Sequence, residues 1–182
     1  APLDVAALGA GIARVLAAAR RGPLASARLV LEPGRFLAGE AGVYLTRVVE
    51  TKESRGTRIA LVDGGVHHLV RPVLIGAPHP IVAATRADEA PSHRFDVGGT
   101  LCTGVDFLGR DMALPDLHAG DLLAVLASGA YGFTESMPDF LSHPVPAEVL
   151  VHGGESHVVR PREEPEERLA RQSLPPFLAR AR

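Results

Sequence analysis

Short β-rich segments separated by turns rich in glycine and proline fill the chain from residue 43 to residue 160. Many short strands joined by such turns predict a β-barrel or sandwich, so we expect a mainly β fold. The clearest segments, 43–50 and 57–63, flank the polar stretch 51–56 and predict a hairpin. Further strands are predicted at 80–86, 93–97, 121–127, 147–151 and 156–160, and a short surface helix is predicted at 163–173 in the charged tail.

Residues 1–40 follow a different pattern. Apolar residues at helical spacing predict an amphipathic helix over 4–21, with Asp4 as its N-cap. An apolar, β-branched run then predicts a buried strand over 27–32. Helix followed by buried strand is half of a repeating α/β unit, and a parallel strand needs neighbours that the later segments do not supply.

Composition narrows the possible functions. The net charge of −2 and an aromatic content of 4% without tryptophan argue against binding to nucleic acid. No apolar run approaches the ~20 residues that span a bilayer, and the N-terminal residues lack the pattern of a signal peptide. The single cysteine, Cys102, fits a reducing compartment, so we expect a cytoplasmic protein.

Opposite charges flank the end of the predicted strand at 27–32. Glu32 precedes Pro33-Gly34 and Arg35 follows them. Since α/β folds usually place ligands at the carboxyl ends of strands, this pair suggests a polar ligand there. A surface ion pair at a strand end would leave the same pattern.

Three other features suggest chemistry, and each has a structural alternative. Cys102 lies in a glycine-rich loop and Tyr131 lies between small residues, although both would also suit packing positions. His67-His68 with the later His79 could form a metal site. Adjacent histidines on a strand point to opposite faces and rarely bind one ion, so we predict no metal.

Seven motifs in a fixed order resemble the second half of the pyridoxal-phosphate decarboxylases of the ornithine/diaminopimelate/arginine class (fold type III). The resemblance extends over roughly residues 1–165. The motifs are Glu-Pro-Gly-Arg-Phe at 32–36, Asp-Gly-Gly at 63–65, Arg-Pro at 71–72, Gly-x-Leu-Cys-x-x-x-Asp at 99–106, Gly-Asp-Leu-Leu at 120–123, Gly-Ala-Tyr-Gly-Phe at 129–133 and Pro-Ala-Glu-Val-Leu at 146–150.

The resemblance implies a domain layout. Enzymes of this class have an α/β (TIM) barrel followed by a β domain. Residues 1–40 would then be the last α/β unit of the barrel, residues 41–160 the C-terminal β domain, and residues 161–182 a charged tail.

The resemblance also implies pyridoxal 5'-phosphate as cofactor and assigns three residues to it. Glu32 resembles the acid that pairs with the pyridine nitrogen and keeps the ring electron-withdrawing. Arg35 resembles an arginine near the cofactor phosphate or the substrate carboxylate, where a planar two-pronged donor fits an oxyanion. Tyr131 resembles the tyrosine that reaches the cofactor phosphate.

Four further residues match substrate-side positions. Arg71 resembles the arginine that holds a substrate carboxylate, and Asp106 a polar residue on the substrate side. Cys102 resembles the cysteine that is given across the interface of a homodimer and protonates the carbanion left after decarboxylation. Thr103 stands where related enzymes usually carry an acid that grips the distal ammonium of the substrate.

Other positions also depart from the family pattern. The only lysine, Lys52, lies in the predicted hairpin rather than early in a barrel, so the Schiff-base lysine is missing and this chain alone should be inactive. Ile75 replaces an expected aromatic residue, and Asp139-Phe140-Leu141 replaces a common Asn-Tyr-Asn. These changes disfavour free diaminopimelate and suggest a substrate tethered to an acyl or peptidyl carrier protein.

Two alternatives stay open at this point. The chain could belong to a non-catalytic homologue that serves as a dimerisation or carrier-docking subunit, or to an alanine-racemase-like protein of the same architecture. Retention of Glu32, Arg35, Cys102 and Tyr131 argues against a pure scaffold.

Overall fold

A computed structural model describes residues 3–179, except the side chain of Ala179, and divides the chain into two compact units, before and after the Pro33–Gly34 bond. The first unit contains α1 (Val5–Ala19), whose N-cap Asp4 accepts a hydrogen bond from the Ala7 amide at 2.9 Å, as predicted. Residues 27–33 form no strand, which corrects the sequence prediction. Within the described residues no neighbouring strand hydrogen-bonds to them, and an isolated extended segment has no ladder to stabilise it.

The second unit is built on a six-stranded sheet, which confirms the mainly β prediction. The order of its strands is β3-β6-β1-β2-β4-β5, and all neighbours are antiparallel except β2 and β4. The strands are β1 (Tyr44–Ser54), β2 (Thr57–Val62), β3 (Ile81–Ala83), β4 (His93–Gly98), β5 (Phe107–Leu114) and β6 (Leu122–Val125).

The sheet curls so that its two edge strands meet, which gives it a barrel-like shape. Ile81 on edge strand β3 lies so close to Gly109 on edge strand β5 that a Cβ at Gly109 would come within 2.9 Å of it. Buried residues from all six strands fill the interior, including Val48, Val62 and Leu108. This core alternates with exposed residues along the strands, as expected when one face of a sheet is buried.

The β1–β2 hairpin and β5 differ from the sequence prediction. The hairpin turns at Arg55 and Gly56 alone, both with positive φ (52° and 77°), as in a type I′ turn. The whole of 51–56 was predicted as turn because it is polar, yet most of it is exposed strand. Strand β5 was missed because Asp111 and its neighbours resemble a turn; the structure accommodates Asp111 at φ 53° in an irregular stretch of β5.

The remaining elements are short. Helices α2 (Gly34–Ala38) and α3 (Arg71–Leu74) precede and follow β1–β2, and α4 (Pro165–Leu169) and α5 (Pro176–Ala179) lie in the tail. Of the predicted helix at 163–173, only α4 is helical. It begins with a capping box formed by Glu164 and Glu167. Strands β7 (Glu148–His152) and β8 (Glu155–Arg160) form a separate hairpin. Within the described residues no helix is long and apolar enough to cross a membrane.

Candidate active site

Most of the predicted site residues of the second unit lie at one end of the six-stranded sheet. Strands β2, β4 and β6 all run in the same direction, since β2 and β4 are parallel and β1 is antiparallel to both β2 and β6. The segments that follow these strands therefore emerge at the same end of the sheet. They carry Arg71, Cys102 and Tyr131, respectively; Arg71 begins α3, and the other two lie in irregular backbone.

A buried carboxylate joins the first two of these segments. Asp106 is 3% exposed, and its Oδ1 accepts a hydrogen bond from the Val66 amide at 2.8 Å while Oδ2 accepts one from the Leu101 amide at 2.7 Å. A Cβ on Gly65 or on Gly99 would collide with this carboxylate. The two glycines are thus required by the close approach of the acid, and Asp106 fixes the backbone next to Cys102.

Arg71, after β2, and Tyr131, after β6, come together across two segments. The Arg71 guanidinium lies 4.8 Å from the centroid of the Tyr131 ring, and its Nη1 lies 4.0 Å from Oε2 of Glu135. Tyr131 has a φ of 54°, which turns the chain sharply at this point. Ser136 ties this segment to α3, because its hydroxyl accepts a hydrogen bond from the Val70 amide at 3.0 Å.

Arg35 lies on α2, which packs against the segment that carries Tyr131. The amide of Gly129 donates to the Gly39 carbonyl at 2.9 Å, and the amide of Ser128 donates to the Gly42 carbonyl at 2.8 Å. A Cβ on Gly129 or Gly42 would clash with the opposite backbone. The Nη1 of Arg35 is buried without a hydrogen-bond partner in the described chain, so this guanidinium has donor capacity for an anion.

His67 and His68 occupy a tight turn rather than a strand, which corrects the basis on which they were expected to point apart. Their ring centroids are 3.8 Å apart, and the ring of His143 lies 4.9 Å from that of His67. His68 Nε2 donates to the Pro144 carbonyl (3.0 Å), so its Nδ1 accepts from the Tyr44 hydroxyl (2.9 Å). This contact and burial hold the Tyr44 ring beneath the turn.

Both histidines are neutral at physiological pH. Burial lowers the pKa of His67 to about 3, with smaller contributions from His68 and His143. Burial also lowers the pKa of His68 to about 4, although its bond to the Pro144 carbonyl opposes the shift. Burial raises the pKa of the Tyr44 hydroxyl. His79 lies elsewhere and donates to the Leu126 carbonyl; among the described residues no group of three His, Cys, Asp or Glu side chains is arranged to hold a metal ion.

The other predicted residues differ in their surroundings. Cys102 is an exposed free thiol at the rim of the site, and Thr103 is half-buried with its carbonyl accepting a hydrogen bond from the Asp106 amide. Glu32 is exposed in the first unit, and its predicted pairing with a pyridine nitrogen stays a prediction. Sequence reasoning missed Glu135 and Ser136, since neither stands in a motif that indicates chemistry.

Residues 15–129 match the family model of the C-terminal sheet domain of pyridoxal-dependent decarboxylases. The chain belongs to this decarboxylase family. Diaminopimelate decarboxylase from Methanothermobacter thermautotrophicus is 43% identical over 147 residues, which cover 81% of this chain and 34% of that protein. The L-glutamyl-[BtrI acyl-carrier protein] decarboxylase of Niallia circulans is 33% identical over 165 residues, which cover 87% of this chain and 39% of that protein.

Solved structures agree with this membership. The crystal structure of diaminopimelate decarboxylase from M. jannaschii in complex with L-lysine superimposes with a TM-score of 0.75 at 31% identity, covering 83% of this chain and 34% of that one. The chain thus spans about a third of the length of the decarboxylases it matches.

The second unit offers donors that fit the phosphate of a pyridoxal cofactor. The unpartnered buried Nη1 of Arg35 and the exposed Tyr131 hydroxyl are both suited to an anionic oxygen. Lys52, by contrast, lies exposed on β1. No other lysine occurs in the sequence.

Proposed function

We propose that this chain is the C-terminal part of a pyridoxal-phosphate-dependent amino-acid decarboxylase and is inactive without the barrel that carries the lysine. One observation carries the proposal. Arg71, Tyr131 and the loop that carries Cys102, which Asp106 holds in place, converge at one end of the sheet. A protein that used the sheet only as a scaffold would not need this polar cluster.

Five of the predicted site residues have a defined role in this proposal. When bound, pyridoxal phosphate supplies the electron-withdrawing ring that makes loss of CO2 from an amino acid feasible. Glu32 keeps a proton at the ring nitrogen, and Arg35 and Tyr131 hold the phosphate. Arg71 orients the substrate. As the bond to the carboxylate breaks and CO2 leaves, the Sγ of Cys102 delivers a proton to the carbon that keeps the electron pair, and solvent returns a proton to the thiolate.

The complete enzyme is proposed to be a cytoplasmic homodimer in which Cys102 serves the cofactor of the other subunit. The exposed position of Cys102 on a loop that Asp106 holds from beneath supports this arrangement, since a donor shared across an interface must face outward from its own chain. Mixing Cys102→Ala and Glu32→Gln subunits should restore activity at mixed sites. Recovery no greater than the sum of the two homodimers would exclude sharing.

The substrate could be a free amino acid or one tethered to a carrier protein. The relative from Niallia circulans is a carrier-protein decarboxylase by name. The uncharged Thr103 supports a tethered substrate here, because it offers no carboxylate to a distal ammonium.

Replacement of Cys102 by alanine in the complete enzyme tests the function. The variant should retain the absorbance of bound cofactor but lose product formation or release wrongly protonated by-products. Ser156→Ala, on the exposed β7–β8 hairpin, is the control and should behave as wild type. Unchanged turnover in Cys102→Ala would defeat its role, and cofactor binding without CO2 release in the wild type would favour a non-catalytic homologue or a racemase.

A further inference from the structure

The charge of Arg71 is already compensated within the chain. Glu135 Oε2 lies 4.0 Å from its Nη1, and the two side chains are only 15% and 29% exposed. The Tyr131 ring covers one face of the guanidinium, and the Nε of Arg71 is buried without a hydrogen-bond partner among the described residues. An arginine that served only to attract a substrate carboxylate would not need an acid this close.

Three positions that the family motifs place on the substrate side add no positive charge to this pair. Thr103 and Ile75 are uncharged, and the Asp106 carboxylate already accepts from two backbone amides. The Arg71–Glu135 pair is therefore close to neutral and still has guanidinium donors left for a polar, uncharged group.

We propose that Glu135 is a specificity-determining residue that selects amino acids whose end distal to the reacting carbon carries no free carboxylate. This inference rests on the proposed function. A distal carboxylate bound by Arg71 would lie within a few ångströms of Glu135, in a half-buried setting where like charges repel strongly. An amide, ester or thioester carbonyl accepts the same hydrogen bonds without that repulsion.

The complete enzyme with its cofactor allows a direct test with substrates of matched shape. L-glutamate and L-glutamine have nearly the same shape, and at the distal end a neutral amide replaces the charged carboxylate. We expect the wild type to have the higher kcat/KM for L-glutamine. Glu135→Gln should raise kcat/KM for L-glutamate and for meso-diaminopimelate roughly tenfold and leave that for L-glutamine within about twofold. Glu155→Gln, an exposed acid on the β7–β8 hairpin, is the control and should change neither value.

A binding measurement keeps the inference separate from the proposed function. Calorimetry with glutarate and its monoamide requires no turnover. Glu135→Gln should raise the affinity for glutarate roughly tenfold and leave the affinity for the monoamide unchanged. Unchanged glutarate affinity would overturn the role of Glu135 even in an active enzyme, and a glutarate effect in an enzyme that releases no CO2 would overturn only the proposed function. Loss of activity towards L-lysine or L-ornithine in Glu135→Gln would instead make Glu135 an ammonium ligand and refute the proposal.

Discussion

The six-stranded sheet and the β7–β8 hairpin are built from the same kinds of residue and use them in opposite ways. Val62 and Val97 in the sheet are fully buried, whereas Val151 and Val158 in the hairpin are 69% and 65% exposed. Every residue of β7 is exposed, so the hairpin has no buried face in the described chain. An apolar strand therefore stabilises this chain only where a second layer covers it.

The contrast extends to polar groups. Asp106 and His67 lie at the end of the sheet, where the carboxylate accepts hydrogen bonds from two backbone amides and the imidazole is fully buried. Glu148 and His157 on the hairpin remain in solvent, with side chains 65% and 54% exposed. We therefore expect substitutions and pH to affect the free energy of unfolding through the sheet and its loops, and hardly at all through the hairpin.

Truncation of a core leucine gives the largest expected difference between the two regions. Leu108→Ala removes a fully buried side chain and should lower the free energy of unfolding by about 2–5 kcal/mol, because a cavity is left among the sheet residues. Leu150→Ala on β7, where the side chain is 55% exposed, should change it by less than about 0.5 kcal/mol. Urea unfolding of the 182-residue chain measures both. Equal losses would mean that the hairpin is packed as tightly as the core.

Removal of the buried acid gives the next largest effect. Asp106→Ala leaves the Val66 and Leu101 amides without their acceptor and should cost about 2–3 kcal/mol of unfolding free energy. Glu148→Ala breaks only the exposed ion pair with Arg160 and should cost less than about 1 kcal/mol. Thermal unfolding of both variants provides the comparison. A small loss in Asp106→Ala would show that the two loops hold their positions without the carboxylate.

Acidification gives the smallest effect that we expect to resolve. The pKa of His67 is about 3 in the folded chain and 6.5 unfolded, so the unfolded state binds the proton first. The contribution of the neutral His67 side chain to the free energy of unfolding is present above pH 6.5 and is lost as pH falls toward 3. Between about pH 7 and pH 5 the loss is on the order of 2 kcal/mol.

Two variants assign this pH dependence to the buried ring. Urea unfolding across the pH range should show a weaker dependence in His67→Gln, whereas His157→Gln on the hairpin should keep the wild-type profile. A wild-type profile in His67→Gln would place the sensitive group elsewhere.

Local patterns in the sequence predicted what depends on near neighbours. The Asp4 cap and α1 follow from a short polar residue before a run of helix formers, and most strands follow from β-rich segments between turns. Strand β5 escaped prediction because its irregular stretch resembles a turn; only pairing with β4 makes it a strand. Residues 27–32 were predicted as strand for the opposite reason, since their pattern presumes partners that the described chain does not provide.

The motifs by themselves determined the family, the mainly β fold and which residue types could serve a pyridoxal cofactor, because such residues are recognisable from their order along the chain. Only the tertiary structure decided how they are used. It placed Glu135 beside Arg71, turned the Asp106 carboxylate toward two backbone amides, and brought the rings of His67 and His68 together in a turn. The Arg71–Glu135 contact and the bond from the Val66 amide to Asp106 join residues far apart in sequence. The energies of all these contacts depend on distance and burial that no local pattern contains.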